Sequence, residues 1–332
     1  MHAIEIREIG GPAVLQPAER PVPTLSGATD VLVRLMAAGV NPVDTKLRSR
    51  GPLLPDGLPM VPGCDGAGVV EAVGPEVAGL SPGDEVWLCH GGLGGPVGNY
   101  AEYILAAAAG VRPKPRSLDF VHAAAAPLVL ITAWEALFDR AGLKPGQTVL
   151  VHAGAGGVGH VAIQLARLAG ARVAATVSSP EKASFAHELG AEYTINYREE
   201  DLVQAVMDWT GGRGVDIGFD TVGPEVFRRT IPAMAHYGSL ITILDLGPDQ
   251  DFKEARTRNL RIGFELMLTP MLRDLPEARA HQGEILDRCA EYVDRGELRI
   301  EVAETFPLAQ AEAAHRRIEE GHTRGKLVLT MG

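Results

Sequence analysis

The stretch VLVHAGAGGVGHVAIQLARLAGARVAATVSS, residues 149 to 179, limits the possible folds more than any other part of the chain. An apolar run leads into glycines, a segment of helical periodicity follows from about 157 to 169, and a second apolar run covers 172–177. Gly154, Gly156 and Gly159 fit G-x-G-x-x-G. Alone the pattern is weak; between a strand and a helix of a βαβ unit it has a physical task. One glycine makes the tight turn, one lets the backbone approach a pyrophosphate, and one lets helix and strand pack closely. The helix N-terminus adds free N–H groups and partial positive charge. Gly154, Gly156, Gly157, Val158 and Gly159 are therefore the expected phosphate contacts. A glycine-rich turn that binds nothing is the competing reading.

The same alternation continues. Apolar runs at 148–153, 172–177, 193–197, 215–223 and 238–247 are separated by helical segments. Such alternation builds a parallel, doubly wound α/β sheet with helices on both faces. Residues 1–110 read differently, as short strand-like runs broken by Gly and Pro turns such as LSPGDEV and GGLGGPVGN. DFVHAAAAPLVLITAWEALFDRAGL reads as helix ending at Gly142, and the part from about 266 as two helices and a closing strand, KLVLTM. The expected layout is a discontinuous β-rich domain, residues 1–123 and 266–332, with the α/β domain 124–265 inserted.

A chain of 332 residues accommodates two such domains. Its formal charge of -11 and its lack of a Lys/Arg run argue against nucleic acid as partner. Three scattered cysteines without CxxC form neither a disulfide framework nor a zinc knuckle. The start, MHAIEIREIGG, alternates like an edge strand without an apolar signal region, and no uncharged run reaches membrane-spanning length. A cytoplasmic protein with no membrane contact is expected.

The nucleotide is read from the second strand. An NAD site usually places Asp or Glu about 20 residues beyond the glycines to bind the ribose 2′-hydroxyl. Here the run ends in Thr176, Val177, Ser178 and Ser179, with Lys182 on the next helix and Tyr197 closing the third strand. Hydroxyls, an ammonium and a phenol suit a 2′-phosphate, which a carboxylate would repel. Ser178, Lys182 and Tyr197 thus point to NADPH, although Lys182 also reads as an ordinary solvated helix lysine.

Taken in order, AGVNPVDTKLR (38–48), VPGCDGAGVVEAVG (61–74), GDEV (83–86), YAEY (100–103), PLVLITAWEAL (127–137), AGAGGVG (153–159), INYREEDL (195–202), FDTVG (219–223) and RGKLVL (324–329) form a specific set. With them the whole chain resembles the medium-chain dehydrogenase/reductase superfamily, and within it the zinc-free, zeta-crystallin-like quinone oxidoreductases. The resemblance implies a Rossmann domain inserted in a GroES-like catalytic domain, a cofactor in the cleft between them, and a homodimer formed by edge pairing of Rossmann sheets. It implies further cofactor contacts at Thr132, at Thr221, Val222 and Gly223, at Gly263 and Phe264, and at Lys326. Several of these also read as ordinary packing and turn residues.

Zinc-dependent relatives carry a Cys, a His-Glu pair and a further Cys where this chain has Asn41, Cys64-Asp65 and Val129. A catalytic zinc needs three protein ligands, so no metal is expected; a pairing of Cys64 and Asp65 with Cys89 or His90 around an ion has no recognised spacing. Without a Lewis acid, a conjugated acceptor is easier to reduce than a simple ketone, because the arriving charge spreads onto an oxygen that needs only a hydrogen-bond donor. The resemblance places NPVDTK beside the nicotinamide, with Asn41 as amide donor to that oxygen and Lys46 as stabilising cation. Asp44 is expected to tie down the loop. The quinone-reductase pattern often has Tyr at the place of Lys46, and Lys is more reminiscent of alkenal and enone reductases. Apolar residues of the loops at 46–60, 90–98 and 245–275, among them Leu53, Leu54, Leu93, Leu266 and Met267, suit a hydrophobic ligand or ordinary packing. Four readings follow: an NADPH-dependent quinone reductase, an NADPH-dependent reductase of enone C=C bonds, a zinc-free alcohol dehydrogenase-like oxidoreductase, which the missing Lewis acid disfavours, and a non-catalytic NADPH-binding or sensing protein.

Overall fold

Apolar runs buried on both faces become the central strands of a parallel sheet, because helices must cover both sides. Val149, Leu150 and Val151, and likewise Val173, Ala174 and Ala175, are buried in this way. The computed structural model describes residues 1–54 and 57–332. Its contacts divide the chain into Met1–Leu128 with Leu268–Gly332, and Val129–Met267; the boundaries read from the sequence were 124 and 266.

The unit Val129–Met267 holds six parallel strands in the spatial order Tyr193–Asn196, Arg172–Val177, Thr148–Val151, Val215–Asp220, Met234–Thr242, Arg261–Phe264. Numbered along the chain this is the order 3-2-1-4-5-6 of a dinucleotide-binding sheet, which reverses direction between Thr148–Val151 and Val215–Asp220. Leu150, Ile195, Val206, Phe227 and Leu240 meet in its core. Asp201 caps the helix Leu202–Thr210 by accepting the Gln204 amide at 2.9 Å.

The other unit is built on a largely antiparallel sheet. Its strands lie in the order Val302–Pro307, Lys326–Thr330, Asp30–Val40, Asp65–Val73, Glu85–Cys89, Val111–Pro113, with Tyr103–Ala107 also paired to Asp30–Val40. Val31, Val33, Leu35, Val70, Leu88 and Ile104 form its core. The register sets Gly39 opposite Asp65 and Val40 opposite Leu327. That pairing brings Asn41, Asp65 and Lys326 to one end of the sheet.

Two expectations are corrected. The helix read through to Gly142 is broken at Ala125 and Ala126, between Phe120–Ala124 and Pro127–Trp134, and ends in a π-helical turn, Glu135–Arg140. Pro127 lacks an N–H and disfavours helical geometry at the residue before it, yet fits a first helical turn. The C-terminal part contains a further strand, Val302–Pro307, whose exposed residues carry no apolar signal. Among the described residues, no helix is long and apolar enough to cross a membrane.

Candidate functional site

Where the strand Thr148–Val151 ends, the chain turns at Ala153, which sits at φ 50. This left-handed region is costly for a residue with a Cβ. Hydrogen bonds hold it there. The Ala153 amide donates to Thr176 Oγ1 at 3.0 Å, the Gly154 amide to the Thr176 carbonyl at 2.9 Å, and the Gly156 amide to the Ala153 carbonyl at 2.8 Å. A Cβ on Gly154 would stand 2.7 Å from that of Ala175, and one on Gly159 would stand 2.2 Å from the Ala153 carbonyl oxygen. The helix Gly157–Leu168 starts here, and among the described residues the amides of Gly157, Val158 and Gly159 meet no protein acceptor. Helix-start amides of this kind favour an anion.

Across the same end of the sheet, Ser178 and Ser179 follow the strand Arg172–Val177 and are half-buried. Ser179 caps the helix Pro180–Glu188, its hydroxyl accepting the Lys182 amide at 3.4 Å. Glu181, on the exposed side of that turn, hydrogen-bonds Ser179, which holds its carboxyl below the usual range. The Tyr197 amide donates to the Val177 carbonyl at 3.2 Å, so Tyr197 stands beside the serines with its ring exposed. Among the described residues Lys182 has no ion pair. No carboxylate ends the second strand.

Further along that end lie Thr221, Val222 and Gly223. One oxygen of buried Asp220 accepts the amides of Val222 at 2.9 Å and Gly223 at 3.0 Å, and the other accepts the Thr242 hydroxyl at 2.7 Å. Burial raises the Asp220 pKa. Gly223, at φ 139, needs its lack of a side chain. Gly263 and Phe264 close the edge strand Arg261–Phe264, with Phe264 exposed. Thr132 is buried on the helix Pro127–Trp134.

In the other unit, the strand Asp30–Val40 passes directly into the helix Pro42–Arg50. Asn41 is the N-cap, Pro42 occupies the first turn, and Asp44 closes a capping box by accepting the Asn41 amide at 2.8 Å. This is the loop tie expected of Asp44. Asn41 is fully buried. Its side-chain nitrogen donates to Asp65 Oδ2 at 2.9 Å, and its oxygen accepts from the Lys326 ammonium. Lys326 also donates to the Val40 carbonyl at 2.9 Å and lies 3.9 Å from Asp65 Oδ2. The other Asp65 oxygen accepts the Leu128 amide at 2.8 Å. Asp44 Oδ2 further accepts the Tyr100 hydroxyl at 3.2 Å, and that hydroxyl lies 3.1 Å from His315 Nε2.

Burial dominates the electrostatics of this cluster. It pushes Asp44 up to about 7, against hydrogen bonds and the Lys326 charge that pull the other way. It raises Asp65 and lowers Lys326, each opposed first by the charge of the other. The buried thiols of Cys64 and Cys89 are pushed up and stay protonated. Lys46 is half-buried, its ammonium destabilised by partial burial and by Arg50, and it has no ion pair among the described residues. Among the described residues, no group of three or more His, Cys, Asp or Glu side chains is placed to hold a metal ion.

The sequence-derived residues therefore fall into two groups. The glycine turn, Ser178, Lys182, Tyr197 and the Thr221–Gly223 segment gather at one end of the parallel sheet. Asn41 and Lys46 share the strand–helix junction of the other unit. Lys326, read as a cofactor contact, directs its ammonium to Asn41 and Val40, and Asn41 directs one amide N–H to Asp65. Of the pocket loops, Leu93 and Met267 are buried while Leu53 and Leu266 are exposed; residues 55 and 56 of the loop at 46–60 lie outside the described residues. Sequence reasoning missed Asp220, His152 and Thr230. For Asp220 and His152 the signal was a lone polar residue at the end of an apolar strand, as in VLVHAG and IGFDTVG; Thr230 ends a helix and carried no such signal.

Residues 27–116 match the alcohol dehydrogenase GroES-like domain, and residues 189–329 match the zinc-binding dehydrogenase family. The chain is 35% identical to a quinone oxidoreductase of Pseudomonas aeruginosa over 98% of both chains, and 35% identical to a 2-haloacrylate reductase of a Burkholderia species over 91% of both. It superposes on an NAD-dependent alcohol dehydrogenase with a TM-score of 0.88 at 36% identity, covering 100% of each chain. On Escherichia coli quinone oxidoreductase complexed with NADPH the TM-score is 0.87 at 29% identity, covering 99% of this chain and 100% of that one. With a Rossmann sheet, a GroES-like unit and relatives of this identity along nearly its full length, the chain is an oxidoreductase of the medium-chain dehydrogenase/reductase superfamily and belongs to its quinone oxidoreductase branch.

Proposed function

We propose that the protein is an NADPH-dependent reductase that passes hydride to quinones or other conjugated carbonyl acceptors without a metal. The observation that carries this reading is the end of the second parallel strand. It presents Ser178, Lys182 and Tyr197, and the strand itself ends without a carboxylate, Glu181 standing on the exposed side of the next helix, which suits a 2′-phosphate. The turn fits the dinucleotide as well, because side chains at Gly154 and Gly159 would collide with the fold and, among the described residues, three helix-start amides meet no protein acceptor. When bound, NADPH supplies the hydride.

Gly154, Gly156, Gly157, Val158 and Gly159 receive the pyrophosphate. Thr132, Thr221, Val222, Gly223, Gly263 and Phe264 flank the nicotinamide half. In the other unit, the Lys326 ammonium polarises the Asn41 amide through its oxygen, which makes the remaining Asn41 N–H a stronger donor to an oxygen gaining charge. Lys326 thus serves the acceptor side of the reaction in this reading. Lys46 adds a positive charge for the resulting anion. The absence of a metal is supported by Asn41 and Val129 standing where zinc relatives carry thiolates, and by the Lys326 ammonium already opposite Asp65. A cytoplasmic homodimer paired through the exposed edge strand Arg261–Phe264 completes the proposal; light scattering on the purified protein reads its mass.

The alternative acceptor is an enone or alkenal C=C bond, favoured by lysine at position 46 and by likeness to a 2-haloacrylate reductase. NADPH oxidation with para-benzoquinone, phenanthrenequinone, an enal and a simple ketone separates the readings. Turnover of the quinones or the enal is expected. Turnover of the ketone alone refutes the conjugated-acceptor argument, and turnover of nothing favours a binding protein. Elemental analysis showing a stoichiometric metal refutes the metal-free part.

A further inference from the structure

His152 is buried between the first parallel strand and the glycine turn, and the reductase reading assigns it nothing. Its hydrogen bonds admit one consistent assignment. The Thr230 hydroxyl donates to the Val226 carbonyl at 2.7 Å, so toward His152 Nε2, 2.8 Å away, it can only accept. Nε2 therefore carries the ring proton and Nδ1 is an acceptor. The Thr176 hydroxyl accepts the Ala153 amide at 3.0 Å and turns its own proton to Nδ1 at 3.3 Å. One ordered chain results, from the Ala153 amide through Thr176, His152 and Thr230 to the Val226 carbonyl. Burial pushes the His152 pKa down to about 4, so this tautomer persists at neutral pH.

One end of that chain meets the glycine turn, and the other enters the helix that follows Gly223. One end holds Ala153 in its left-handed conformation, and the carbonyl of that residue closes the turn on Gly156. The other end fixes the helix Pro224–Thr230, which begins directly after Gly223. The His152 main chain repeats the link, since its carbonyl accepts the Thr221 hydroxyl at 2.9 Å and its amide donates to the Phe219 carbonyl at 3.0 Å.

We infer that His152 is a positioning residue for the dinucleotide: by joining the hydroxyls of Thr176 and Thr230 it holds the glycine turn and the Thr221–Gly223 segment in one fixed relation. This rests on the NADPH reading above. His152 touches neither the cofactor nor the acceptor in this account; it acts through Thr176 and the Ala153 amide.

The test measures the NADPH dissociation constant by fluorescence, with kcat at saturating NADPH and Tm, for His152→Leu, His152→Asn, Thr176→Val and the double variant His152→Leu/Thr176→Val. His152→Leu and Thr176→Val should each weaken NADPH about tenfold, and the double variant no more than the weaker single one, because both break the same chain. The kcat should stay within about threefold, since only ground-state cofactor binding is lost. His152→Asn places an oxygen near the position of Nδ1, which keeps the Thr176 half of the link and loses the Thr230 half, and should recover part of the affinity. A role in packing alone lowers Tm in every variant while folded protein binds NADPH as wild type does, which overturns the inference. Additive losses in the double variant, or His152→Asn binding as poorly as His152→Leu, overturn it too. If wild type itself fails to bind NADPH, the cofactor reading falls and takes this inference with it.

Discussion

Replacing Asp44 by Asn tests the electrostatics of the buried cluster directly. The change preserves shape, and an amide oxygen can still accept the Asn41 amide at the cap. The atom it alters most, Asp44 Oδ1, is buried and has no hydrogen-bond partner among the described residues. The folded protein keeps the Asp44 proton up to about pH 7, against a reference value of 3.8. Between those values the folded state binds more protons than the unfolded chain, so wild-type stability falls as pH rises through that window. At about 1.4 kcal/mol per pKa unit, the raised pKa of Asp44 costs about 4 kcal/mol at pH ~8.5, where the group is ionised, and about 1 kcal/mol at pH ~4.5, where only the unfolded chain has lost the proton. Asn does not ionise. The stability of Asp44→Asn relative to wild type should therefore improve by about 3 kcal/mol between pH ~4.5 and pH ~8.5. Any fixed cost of the new NH2 group drops out of this difference. Equilibrium denaturation followed through Trp87, which is buried in the same unit, gives the free energies once Trp134 and Trp209 are replaced by Phe. A relative stability that does not change with pH would falsify the idea that burial holds Asp44 protonated.

Three further outcomes follow from the same geometry. Gly159→Ala puts a Cβ 2.2 Å from the Ala153 carbonyl oxygen and 2.9 Å from Gly154 Cα, both main chain; the turn must shift, and NADPH affinity measured by fluorescence titration should fall by at least about tenfold. Lys182→Ala should lower kcat/KM for NADPH about tenfold, roughly 1.4 kcal/mol, and leave NADH unchanged; equal effects on both cofactors would remove Lys182 from the 2′-phosphate. Lys326→Met leaves buried Asp65 and Asp44 without their cation, so denaturation above pH ~7 should show a loss of about 3–5 kcal/mol, shrinking in acid as the carboxyls take up protons.

The parallel sheet was legible because its signals are local. Each central strand is an apolar run, each is followed by a helix, and Gly154, Gly156 and Gly159 stand within one turn. The break at Ala125–Ala126 was not legible, because Pro127 fits a helix start and the alanines on either side fit a helix interior. Val302–Pro307 was missed for the opposite reason: its position comes from parallel pairing with Lys326–Thr330, while most of its side chains face outward.

Residue type and residue partner separate at the site. Asn41 and Lys46 were picked out by the family resemblance together with their chemistry, and the structure sets them on one helix, Asn41 at its cap. That Asn41 faces Lys326 depends on a contact 285 residues apart in sequence, set by the register of the strands Asp30–Val40 and Lys326–Thr330. Neither side chain carries any local trace of it. The same holds for His152 and Thr230, 78 residues apart. A buried polar group costs free energy unless it is hydrogen-bonded. Asp44, Asp65, Lys326, Asn41 and His152 are kept in buried places that a wholly apolar set of side chains would fill at lower cost, although removing any one partner alone leaves the others unpaired. Their partners are the nucleotide turn and the cap of the Asn41 helix, where position matters more than stability. Asp44 shows the cost most openly, with one oxygen closing the cap and the other left without a donor.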